Sequence, residues 1–141
     1  MRRVFAAAVV LVAVVLVVRA WAAAPVKGFQ GYWMGVDPVD GGDSRRGFLQ
    51  LADGTFALAG RDSFLRLCDE TDRGIVTFED GTVVGHRVMT SDTVKLSCFG
   101  NGAVVLLKAR YELVDDSLML EHLTTQDDQP VHTLVLHKVS R

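Results

Sequence analysis

From residue 31 onward, apolar side chains recur at alternate positions over short runs, and turn-forming residues interrupt the alternation too often for helices. Residues 93–139 read as four strands joined by three tight hairpins. Asn101-Gly102 suits a two-residue type I′ turn, since both residues tolerate positive φ. That turn sets Cys98 opposite Val105, Leu96 opposite Leu107 and Val94 opposite Ala109. A turn at Asp115-Asp116 sets Leu113 opposite Leu118, Tyr111 opposite Leu120 and Ala109 opposite His122. The wider loop 124–130 sets His122 opposite His132, Leu120 opposite Leu134 and Leu118 opposite Leu136. A slip of one residue in any pairing would exchange the two faces. In these registers one face collects Val, Leu and Tyr on all four strands, which predicts an antiparallel meander.

Upstream, Asp53-Gly54 pairs Leu51 with Phe56 and Leu49 with Leu58, leaving Gln50 and Ala57 on the other face. Asp80-Gly81 predicts another hairpin, pairing Phe78 with Val83 and Val76 with Gly85. The strands read 31–37, 45–52, 55–60, 63–68, 74–79, 82–89, 93–99, 103–114, 117–124 and 131–139. If Arg61-Asp62 only kinks the chain, the third and fourth merge. No stretch after the N-terminus has helical periodicity. The expected fold is all-β: an antiparallel up-and-down meander closing into a single barrel of about eight to ten strands, with closure removing exposed edges.

The N-terminus has a different pattern. Arg2 and Arg3 precede fifteen uncharged apolar residues (4–18) and then small residues at Ala20 and Ala22–Ala24. This reads as a signal peptide, 1–22, with cleavage after Ala22 favoured and Ala24 the other site. The apolar run is short of the roughly 20 residues of a membrane span, and an uncleaved anchor is the alternative. Residues 23–141 would form one domain. Processing removes Arg2, Arg3 and Arg19 but no acid, taking the formal charge from −2 to −5. That balance argues against a nucleic-acid surface. Export to a periplasmic or secreted location makes Cys68 and Cys98 a disulfide, with a pair of buried thiols as the alternative. Neither cysteine has metal-site spacing.

Gly31-Tyr32-Trp33 on the first strand resembles the Gly-x-Trp entry motif of the lipocalin-like (calycin) barrels. The resemblance implies a tryptophan packed across the closed end of the barrel, under a basic side chain from the last strand. Trp33 with Lys138, or with Arg141, would fill those places. The short loops and the missing C-terminal helical pattern differ from the larger lipocalins.

Four constellations bear on function. The registers place Leu107, Tyr111, Leu120, His122 and His132 on the inner face as the lining of a ligand cavity, with the two histidines as cross-strand neighbours at the rim. Two histidines without a third ligand make a poor zinc site, so no metal is expected. Arg66 is either an inward cation awaiting an anion or a solvated side chain, depending on which face of 63–68 points in. The loop 37–46 carries Asp37, Asp40, Asp43 and Arg45 and is the first choice for recognition; calcium binding and internal neutralisation by Arg45 and Arg46 are its two readings. On the outer face, Arg110 would pair with Glu121, and Gln50 and Lys95 would also face solvent. Val104, Leu106, Met119, Leu123, Val131 and Val135 are assigned outward, and a contiguous patch among them would mark a dimer or a protein target.

No G-x-S-x-G motif occurs, and no acid is placed beside an inward histidine, so no catalytic residues and no cofactor are expected. The leading expectation is a small exported barrel that binds an apolar ligand in its interior. The rival is a periplasmic protein-binding inhibitor, of the protease or lysozyme inhibitor type, acting through rim loops. Interior volume discriminates between them.

Overall fold

The computed structural model describes residues 28–36, 41–62, 67–68 and 73–140. The signal segment, Asp37, Asp40, Arg66 and Arg141 lie outside the described residues. Eight strands follow one another: β1 (Gly31–Val36), β2 (Asp43–Gln50), β3 (Phe56–Asp62), β4 (Gly74–Val84), β5 (Val88–Cys98), β6 (Val104–Leu113), β7 (Leu118–Thr125) and β8 (Pro130–Ser140). Each pairs antiparallel with its sequence neighbours, and β1 pairs with β8 to close a single barrel. The expected meander is therefore present, with eight strands. Every strand bonds on both sides, so no edge is left open.

The turns explain where pairing departs from expectation. Asp80-Gly81 is not a turn: β4 continues through it with a bulge at Glu79-Asp80 against β3, and the chain reverses four residues after Gly81, from Gly85, whose φ is +72°. Gly81 instead faces the core, where a Cβ would lie 2.6 Å from Phe78 and 3.0 Å from the sulfur of Met89. Asp80 accepts hydrogen bonds from the hydroxyls of Ser91 (2.6 Å) and Thr93 on β5. This is a sheet contact, where a reverse turn was expected.

At Asp53-Gly54 the loop has three residues, closed by Leu51 N–H to Thr55 C=O at 2.8 Å. Phe48 therefore faces Leu58 and Gln50 faces Phe56, one residue away from the expected pairing. The same happens at Asp115. Its carboxylate accepts the Ser117 N–H at 2.8 Å, the loop again takes three residues, and Leu113 pairs with Met119. At Asn101 the loop takes four residues, 99–102, so Leu96 faces Val105; this shift of two leaves the faces unchanged. Short polar side chains bonding the backbone two residues on are the common cause.

Cys68, between β3 and β4, is bonded to Cys98 at the end of β5, with Cα atoms 5.2 Å apart. The bond suggests an oxidising, exported environment.

Candidate functional site

The odd-numbered slip at Asp115 turns β7 over. Met119, Glu121 and Leu123 point inward and are fully buried, while Leu120 and His122 face out. On β8, Leu134 and Leu136 stay inside as expected, because a bulge beside Leu123 restores their pairing. His132 thus lies opposite Leu123, and His122 lies opposite Thr133, to whose hydroxyl its ring nitrogen bonds at 3.2 Å. The two histidines are on different faces and share nothing. Likewise Glu121 is not an outer partner of Arg110, whose nearest acid is Glu112 at 4.0 Å.

Of the expected lining, Leu107 and Tyr111 are inside with zero exposure. Zero accessible area means that no water-sized void adjoins them. The same holds for Trp33, Phe56, Met89, Leu96 and Met119 on the other strands. Phe48 stacks edge-on to Tyr111 with ring centroids 4.9 Å apart. The centre of the barrel is packed by its own side chains.

That packing includes a charged cluster that sequence reasoning missed. The turn at Asp53 puts Arg46 inside, fully buried. Space for it comes from Gly60 on β3, where a Cβ would lie 2.4 Å from the Arg46 Cδ. Arg46 donates from Nε to Glu121 at 2.6 Å and from Nη2 to both Glu121 and Asp62 at 2.7 Å. Tyr111 donates its hydroxyl to Glu121 at 2.5 Å, and His132 Nε2 donates to the other Glu121 oxygen at 2.8 Å. Ser44 reaches Asp62 at 3.4 Å. Burial raises the Glu121 pKa, but Arg46 and the His132 hydrogen bond outweigh it and hold the carboxyl well below its usual range. Burial pushes the Asp62 carboxyl up despite Arg46. Burial lowers the His132 pKa, yet its bond to Glu121 carries it above 6.5. With His132 protonated, two cations balance two carboxylates. The cluster is internally satisfied, and Arg46 occupies the position a metal would need between the acids.

On β1, directly across from Arg46, Trp33 is fully buried, and its indole N–H donates to the Phe29 carbonyl at 3.0 Å. Lys138 lies over the Trp33 ring, 5.4 Å from the centroid, and donates to the Gly28 carbonyl at 3.3 Å. Of the loop candidates, Asp43 and Arg45 are described; both stand exposed at the start of β2.

Among the described residues, depressions lie on the outer wall of the barrel. A groove of about 720 Å³ crosses β1, β2 and β3. Its floor is the cross-strand pair Gly47 and Ala59, and Tyr32 leans over Gly47, where a Cβ would lie 3.3 Å from the ring. Tyr32, Leu49 and Val139 wall it in apolar surface, with Tyr32 65% and Leu49 57% exposed. A second depression, lined in part by Met34, Val36 and Val135, continues the apolar face across β1 and β8. Val135 was assigned outward from sequence; Tyr32 and Leu49 were not. In comparisons with protein-family models, curated proteins and solved structures, the chain has no significant match.

Proposed function

We propose that this protein is an exported, lipocalin-like binding module that acts through its outer surface on a protein target, without catalysis. The packed interior is the observation that carries this reading. A small apolar ligand needs a concave cavity that covers most of its surface, and the side chains that would line one are in contact with each other. The outer wall offers the complementary feature: a broad apolar face with an exposed aromatic at its centre, the kind of patch that marks protein interaction. Lys138 over the buried Trp33 ring supports the lipocalin-like reading of the barrel. The disulfide supports a periplasmic or secreted location.

A photoreactive phenylalanine analogue in place of Tyr32 tests this in the native compartment. The expected result is a discrete protein adduct at that position and none from the same analogue at Val104, on the outer face of β6. Saturable binding of Nile red that is lost in Tyr111→Trp, with no adduct at Tyr32, would favour an interior carrier instead.

A further inference from the structure

The outer groove says more about its partner, on the premise that the protein acts through this surface. Arg45 and Arg61 are direct cross-strand partners on the outer face of β2 and β3, and both are exposed. Among the described residues they are the only exposed charges lining the groove, and no described carboxylate lines it. Neither guanidinium has an ion-pair partner among the described residues. Elsewhere on the outer surface, Lys108 reaches Asp128 at 3.1 Å. Like charges directly opposite on adjacent strands destabilise a sheet. Here such a pair stands at the border of an apolar groove, in a chain with a net negative formal charge. An arrangement that costs stability in the free protein and is relieved by an anion fits a binding surface better than a solvated wall.

We propose that this groove docks a protein segment presenting a carboxylate beside an apolar side chain. The carboxylate sits between Arg45 and Arg61, where planar guanidinium groups offer paired N–H donors. The apolar side chain rests on Gly47 and Ala59 against Tyr32 and Leu49. Two features select a protein over a small molecule. The groove is open along its length, so a small ligand would remain largely solvated. The apolar surface also runs beyond the groove, over Met34 and Val135, giving a partner more area to cover than a single ligand can. Because the barrel is closed, the partner cannot add a strand to an edge and must be recognised through side chains.

The test is a nitrogen–proton correlation titration of the disulfide-intact exported protein with acetyl-Leu-Glu-Leu-Asp-Leu-amide. Its Gln/Asn analogue and a lysine analogue serve as controls. The acidic peptide should shift the amides of Tyr32, Arg45, Gly47, Ala59 and Arg61 saturably. The Gln/Asn analogue and the Arg45→Gln/Arg61→Gln variant should each weaken binding about tenfold, the factor that 1.4 kcal/mol represents, and added salt should weaken it further. Equal binding of acidic and neutral peptides at these amides would overturn the carboxylate clamp while leaving the surface reading intact. Saturable shifts centred on Leu107 and Tyr111 would overturn both. Concentration-dependent shifts of the groove amides without peptide would assign the groove to a second copy of this chain and overturn the proposal. The absence of any saturable shift with the acidic peptide would overturn it as well.

Discussion

Replacing Glu121 with glutamine keeps the shape of the side chain and removes the charge on which four hydrogen bonds converge, two from Arg46 and one each from Tyr111 and His132. Arg46 is then left with Asp62 as its remaining carboxylate partner, at 2.7 Å, in a site without solvent. Removing one partner of a buried pair costs about 3–5 kcal/mol, because the remaining charge is stranded. Asp62 retains part of that interaction, so the lower end, about 3 kcal/mol, is expected. With a urea slope of about 1–3 kcal/mol per molar, the unfolding midpoint should fall by roughly 1–3 M. Lys95→Ala, on the exposed face of β5, should stay within about 0.5 kcal/mol of wild type. Replacing Arg46, Asp62 and Glu121 together by Met, Leu and Leu should recover much of the loss, since apolar residues of similar volume often substitute for a buried ion pair without penalty. Equilibrium urea unfolding measures all three. A Glu121→Gln protein as stable as Lys95→Ala would refute the inward register of β7 and the cluster with it.

Other predictions use the same assay. Gly60→Ala should cost about 1–3 kcal/mol, because its Cβ would lie 2.4 Å from the Arg46 side chain and 2.6 Å from the Arg45 carbonyl oxygen. The folded-state pKa of His132 is raised, so its stabilisation is fully present below about pH 6.5 and is lost as pH rises through the folded value. A urea midpoint that falls above pH 6.5 in the wild type and is flat over that range in His132→Gln would bear this out. Leu107→Ala should cost roughly 2–5 kcal/mol, whereas Leu120→Ala, on the outer face, should cost clearly less. Reducing Cys68–Cys98, which closes a loop with a sequence separation of 30, should cost about 3–4 kcal/mol, and the native protein should show no alkylatable thiol without reductant.

The meander and its closure were legible because alternation and turn residues are local signals, and the whole chain repeats them. Registers were less so. Asp53, Asn101 and Asp115 were correctly read as turn residues, but each bonds the backbone or side chain two positions on and lengthens its loop beyond two residues. At Asn101 the extension is even and the inward face survives. At Asp53 and Asp115 it is odd, and the faces exchange. On β7 hydrophobicity offered no protection, since Leu118 and Leu120 are as apolar as Met119 and Leu123. Glu121 then appeared to belong outside, and the whole Arg46–Asp62–Glu121–His132 cluster disappeared from view. The Asp115 carboxylate accepts both the backbone N–H and the hydroxyl of Ser117, and this local bonding closes the three-residue loop. Arg46 carried no local mark of burial, because its acceptors come from β3 and β7, far along the chain.

The claim that most of the account depends on is that the barrel centre is filled, and xenon tests it directly, since dry apolar cavities take up the gas. Methyl spectra of the exported protein should be recorded under increasing xenon pressure. The account predicts no saturable shift at the methyl groups of Leu96, Leu107, Leu134 or Met119, with any response confined to outer-wall residues such as Leu49 and Val139. Saturable shifts at the four interior residues would reveal an open cavity and contradict the surface-acting barrel in favour of a carrier.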